Sequence, residues 1–316
     1  MREGKFLQKN MDKWKQVENA SGMEPDEMAR QFTELVNDLG YAKTFYPHSR
    51  VTDYLNHLAS RIYLGIYRNK KEDRSRVLQF FKTELPLVVY KHRRALFYSL
   101  CLFLSFCLIA AFSAANDDQF VRGVLGDGYV DMTEENIANG DPFGVYKDGD
   151  AMGMFSAIAY NNIRVAFMMF ISGFFAGIGT LYMLFQNGFM LGAFQYYFFA
   201  KGLGWPSVLV IWIHGTLEIS AIVIAGGAGF VIGRSILFPG TYPRLKVLKE
   251  AARDGVKIVL GLVPVFLAAA LLEGFITRYT EMPLAFSIFI LAASLFFICW
   301  YFIWYPAKVH AKQKDQ

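Results

Sequence analysis

The stretch 205–238, WPSVLVIWIHGTLEISAIVIAGGAGFVIGRSILF, limits the fold more than any other part of the chain. It is apolar for longer than one membrane crossing needs, since about 20 residues of helix span the hydrocarbon core. Lipid offers backbone amides no water to bond, so a run of this kind satisfies them internally as a helix. Within it stand two titratable side chains, His214 and Glu218. Such groups are costly at membrane depth and are kept there for a reason. Their i, i+4 spacing places both on one helix face.

The chain around this stretch divides by composition. Hydrophobic residues make up 54% of it, more than soluble globular proteins carry, and they are concentrated after residue 94. This predicts a cytoplasmic helical domain over 1–94, a membrane domain over 95–305 and a basic tail over 306–316. The first apolar run begins at Ala95, directly after Lys91-His92-Arg93-Arg94, and reads as an internal signal-anchor helix rather than a leader.

In the head, Trp14 and Val17 mark a first amphipathic segment. Pro25 with its acidic neighbours starts a second helix, which Phe32, Leu35, Val36 and Leu39 continue and Gly40 is expected to end. Tyr54, Leu55, Leu58, Ile62, Tyr63 and Ile66 mark another, and Val77, Phe80, Phe81, Leu85 and Leu87 one more, close to the membrane.

The apolar runs predict six transmembrane helices, at about 95–115, 161–185, 187–204, 206–236, 256–276 and 284–305, in an all-α polytopic fold. The first has large side chains and no glycine, which suggests a lipid-facing position. Gln186-Asn187-Gly188 is expected to separate the second from the third, and Pro264 to kink the fifth. Trp300, Tyr301, Trp304 and Tyr305 close the sixth as an interfacial girdle. The loop 116–160 is strongly acidic and is read as solvated. The stretch 244–257 is basic and is read as a short interfacial helix. Lys and Arg collect on the cytoplasmic side of membrane proteins. With six crossings, 91–94, 244–257 and the tail all fall on that side and the acidic loop outside. Both termini are then cytoplasmic, in the cytoplasmic (inner) membrane of a prokaryote.

Small residues at helical spacing let backbones approach closely in lipid. Gly173, Gly177, Gly188, Gly192, Gly226, Gly229 and Gly233 are the candidates for such packing, and they permit a homodimer without demanding one. The candidate intramembrane polar site is His214 and Glu218 with Glu273, a second acid in an apolar helix, and with Arg164 and Asn187 as possible partners.

Several classes of chemistry find no support. The net charge of +5 is explained by topology, and no nucleic-acid motif accompanies it. Cys101, Cys107 and Cys299 lie in apolar runs without CxxC spacing. A catalytic zinc needs three protein ligands, and the chain has neither HExxH nor a second membrane histidine. Ser172 and Ser220 lack the context of a nucleophile. No catalytic set, metal or cofactor is expected.

Read together, several motifs resemble one family. They are Asn161-Asn162 before a glycine-bearing helix, Gln186-Asn187-Gly188-Phe189-Met190-Leu191-Gly192, His214-Gly215-Thr216-Leu217-Glu218, AGGAGFVIG at 225–233, and Pro264 followed by Glu273-Gly274. In this order they resemble the stage II sporulation protein M family of integral membrane proteins. The head, with RVTDYLNHLASRIY at 50–63, resembles that family's broader branch, so the resemblance covers nearly the whole chain. It implies a membrane component that works in a complex, since the founding sporulation member acts with cell-wall hydrolases. Two readings follow. One is a membrane scaffold with the bilayer and protein partners as its contacts. The other is a transporter, channel or lipid-handling protein using His214, Glu218 and Glu273. An intramembrane enzyme is the least supported.

Overall fold

The computed structural model describes residues 1–19, 25–68, 75–146, 150–279 and 282–314. Among them helix follows helix and no strand occurs. The chain separates into two compact units, Met1–Arg76 and Val77–Gln316.

The first unit is a three-helix domain of α1 (Glu3–Asn19), α2 (Pro25–Phe45) and α3 (Arg50–Arg68). Its core gathers Phe6, Trp14, Leu35, Leu39, Leu55 and Leu58. Helical periodicity marks all of these except Phe6, while Val36, which it also marks, is exposed; apolar burial drives the assembly. Trp14 is fully enclosed, and its indole N–H donates to Asp38 Oδ2 at 2.9 Å. Gly40 does not end α2, which continues to Phe45 with Ala42 buried in the core. Packing outweighs the roughly 1 kcal/mol that glycine costs inside a helix.

The boundary falls within α4 (Ser75–Gln79), and a π-turn (Phe80–Glu84) and α5 (Leu85–Lys91) follow in the second unit. The sequence assigns this stretch to the head, yet from Val77 onward it belongs to the membrane unit. Leu85, Val88 and Val89 are buried in that unit's core. Lys257 is paired with Glu84 at 2.6 Å, and Lys91 and His92 both reach Asp254, at 2.6 and 2.8 Å.

Next come α6 (Arg93–Asn116), α7 (Asp118–Leu125), α8 (Asp127–Ala138), α9 (Ala151–Ile171), α10 (Ile178–Ala200), α11 (Gly204–Leu237), α12 (Arg244–Leu271), α13 (Leu284–Cys299) and α14 (Tyr305–Lys314). Among the described residues, five stretches are long and apolar enough to cross a membrane: Arg93–Asn116, Ala151–Phe174, Gly204–Leu237, Arg244–Ile276 and Leu284–Lys314. The expected third crossing, α10, is 23 residues long and uncharged, but Gln186, Asn187 and Gln195 lower its hydropathy.

Several boundaries differ from the sequence expectation. The break between the second and third membrane helices is not at Gln186-Asn187-Gly188, which α10 passes through unbroken. It lies at Phe175-Ala176-Gly177, where Ala176 and Gly177 both have positive φ, 53° and 83°. Two consecutive left-handed residues reverse the chain. Ser172 and Thr180 tie the two arms together, the latter by donating to the Met169 carbonyl at 2.8 Å. The acidic loop contains α7, α8 and the first turns of α9. There Arg122 reaches Asp127, Asp131 and Glu134 at 3.3, 2.7 and 3.5 Å. The basic stretch 244–257 is no separate interfacial helix but the first half of α12, which runs on through Pro264. The tail remains helical to Lys314.

At the centre stands α11. At 34 residues it is about 50 Å long, against about 30 Å of hydrocarbon, and α6, α9, α10, α12 and α13 all pack on it. Glycine makes this possible. A Cβ added at Gly173 would stand 2.9 Å from Gly229 backbone atoms, and one at Gly233 would stand 2.6 Å from Gly177 backbone atoms. Helix α6 is not simply lipid-facing. Phe97, Leu104, Leu108 and Phe112 are exposed, while Ser99, Phe103 and Ala110 are buried. Ser99 donates to the Val223 carbonyl of α11 at 2.7 Å, and Gly188 and Gly192 of α10 meet α6 at Phe106 and Ala110.

Candidate functional site

The helix period sets His214 and Glu218 on one face of α11. The chain brings the third group from elsewhere. Helix α12 ends in a π-turn, Leu272–Ile276, closed by the Thr277 N–H donating to the Leu272 carbonyl at 2.8 Å. This wider turn, a form found often at functional sites, carries Glu273 to the same place. One ligand atom each from His214, Glu218 and Glu273 lie within 4.8 Å of one another.

Each ring nitrogen of His214 has its own role. Nε2 faces Glu273 Oε2 at 3.7 Å. Nδ1 lies 3.0 Å from Thr277 Oγ1. That hydroxyl donates to the Leu272 carbonyl at 3.2 Å, which leaves its lone pairs to accept from Nδ1–H. The bond at one nitrogen decides which tautomer a histidine adopts. A proton on Nδ1 fits this arrangement, with Nε2 then facing Glu273 as the unprotonated nitrogen.

Helix α9 closes the site. Asn162 is 4% exposed and its side chain lies against Glu218. Its Nδ2 atom is buried and falls short of hydrogen-bond geometry with any acceptor. His214 is equally enclosed, while the Glu273 side chain keeps 16% of its surface open. The cluster lies toward the end of the bundle that carries α7 and α8. There Gly274 abuts Ala151 and Phe155 at the start of α9. Lys91, Arg94 and Arg234 line a pocket at the opposite end.

The structure thus unites three of the five polar residues singled out from the sequence. Arg164 is on an exposed face of α9. Asn187 bonds within its own helix, donating to the Met183 carbonyl at 2.8 Å. Asn162 and Thr277 were not singled out as site residues. Asn162 stands in the Asn-Asn motif, and Thr277 follows Glu273 at i+4, so both had a signal. The expected glycine contacts largely occur, but Gly188 and Gly192 serve α6, while Gly173, Gly177, Gly229 and Gly233 form the seam between α11 and the α9–α10 turn.

Apolar helices, a glycine-packed central helix and a buried polar cluster define a polytopic α-helical membrane protein. The model of one family, Stage II sporulation protein M, matches residues 99–278, more than half the chain, and the protein belongs to that family. The match runs from α6 to just past Thr277 and so contains the whole cluster. Residues 4–68, the three-helix domain, match a domain of unknown function, DUF8413. No curated protein and no solved structure matches the chain.

Proposed function

We propose that this protein is a membrane scaffold, a stiff helical frame that holds protein partners in a complex and carries out no catalysis of its own. The observation that supports this reading best is the seam of Gly173 and Gly177 against Gly229 and Gly233, where backbone meets backbone. Interfaces of this closeness leave one helix little room to slide along the other. A frame of this kind suits fixed assembly. The proposed placement is six crossings in the cytoplasmic membrane of a prokaryote, with both termini and the basic end in the cytoplasm and α7 and α8 outside. The positive-inside distribution of Lys91, Arg94, Arg234 and Arg244 supports it.

A second reading, an ion-handling transporter or channel, draws support from the convergence of His214, Glu218 and Glu273, since intramembrane His and carboxylates also serve ion paths. The test runs both ways. Site-directed cross-linking from α7, α8 and the three-helix domain in native membranes should capture a defined protein partner at fixed stoichiometry. A chain that cross-links to no other protein, and whose proteoliposomes carry protons or metal ions in a Glu218-dependent manner, overturns the scaffold.

A further inference from the structure

We propose that His214, Glu218 and Glu273 form a binding site for one divalent transition-metal ion of the zinc class, which pins α11 to the end of α12. The proposal rests on the cluster's geometry and is independent of the scaffold reading.

Three features carry it. The first is the donor set. An imidazole with carboxylates suits zinc and its neighbours in the first transition row. Two carboxylates sharing one low-dielectric space repel each other, and a doubly charged ion with a neutral imidazole balances them. The second is the distance. Tetrahedral ligands bound at about 2.1 Å from zinc stand about 3.4 Å apart. His214 Nε2 and Glu273 Oε2 are 3.7 Å apart, and the whole set lies within 4.8 Å.

The third feature is the surrounding shell. Metal-binding histidines donate their second N–H to a fixed acceptor, which holds the ring and raises its basicity. The His214–Thr277–Leu272 chain has this form. Independently, Asn162 presents a buried Nδ2 atom, outside hydrogen-bond geometry, beside Glu218. Turning that amide over sets Oδ1 toward the ion as a fourth donor, the third oxygen. The partly open side chain of Glu273 gives the ion a way in.

The experiment uses the full chain, purified in detergent, stripped with chelator and dialysed against Zn2+. Elemental analysis should find about one zinc per chain, and Zn2+ should raise the Tm. Co2+ in its place should give the visible absorption bands of a low-coordinate site. The variants Glu218→Gln and Glu273→Gln keep the side-chain shape, and each should weaken zinc binding at least about tenfold. Size-exclusion chromatography confirms that each is folded. Folded wild-type protein that retains no zinc and shows no Co2+ bands overturns the proposal. So does zinc binding unchanged in both variants. Metal content is read on the isolated chain, so neither outcome depends on whether partners are found in the membrane.

Discussion

His214 Nδ1 and Thr277 Oγ1 stand 3.0 Å apart, joining the middle of one membrane helix to the end of the next. Because the hydroxyl also donates to the Leu272 carbonyl, one side chain both closes the π-turn and orients the imidazole. Thr277→Val keeps the shape and removes the acceptor. It should leave a buried N–H unbonded at a cost of about 1–3 kcal/mol and weaken zinc binding about 10–100-fold. Thr277→Ser should restore both. Thermal unfolding and zinc titration of the purified variants check this, and a Thr277→Val protein that matches wild type in both removes the hydroxyl from the site.

The glycine seam predicts a sharp steric limit. At Gly229 an added Cβ would stand 2.7 Å from the Met169 carbonyl oxygen and 2.8 Å from Thr180 Cγ2. Gly229→Ala should cost at least about 3 kcal/mol, the upper range for overpacking, because the obstacle is partly backbone that cannot rotate away. Gly123→Ala, with nothing within 4 Å of its Cβ, should be close to neutral. The Tm values of the two variants in the same detergent measure the contrast.

The three-helix domain has its own weak point. Trp14 is fully buried and hydrogen-bonded to Asp38. Trp14→Ala should cost about 3–5 kcal/mol through lost burial and the cavity left behind. Limited proteolysis of the full chain should then cut within 1–68 while the membrane unit survives. Equal loss in both units would show that the two fold as one.

A pH effect is expected at the acidic end of the bundle. The Lys201 ammonium, bonded to Glu134 at 2.8 Å, holds that carboxyl below its ordinary range. A carboxyl whose folded pKa is lowered stabilises the fold above its unfolded pKa, and that contribution is lost as pH falls through the folded one. The tie between α8 and the end of α10 should therefore loosen as pH falls below the ordinary carboxylate range. Faster amide exchange in α8 at low pH, absent in Glu134→Gln, is the expected result. Both groups are solvent-exposed, so the effect is local and salt-sensitive.

Much of this was legible along the chain because it depends on local pattern. Apolar runs of bilayer length announce membrane helices wherever they fall, and a period of 3.6 residues places His214 beside Glu218 and aligns the core of the three-helix domain. The misread boundaries share one cause. Gln186-Asn187-Gly188 has the composition of a break, but Gly188 is where α10 meets Phe106 of α6, and tight packing keeps it helical. The true reversal at Ala176-Gly177 carries no polar residue, since the turn closes its own backbone hydrogen bonds, from Gly177 N–H to the Gly173 carbonyl and from Ile178 N–H to the Phe175 carbonyl, both at 3.0 Å.

What the sequence determined by itself is the class of protein, its apolar segments, its family and the identity of its costly buried polar residues, all of which follow from hydropathy and short-range spacing. Only the tertiary structure decided which of those residues meet. Glu273 lies far along the chain from His214 and Glu218, and nothing in their spacing sets the packing of α12 on α11. That packing, with the π-turn that redirects Glu273 and the Thr277 hydroxyl that orients His214, turns separate charges into one site and leaves Arg164 and Asn187 outside it.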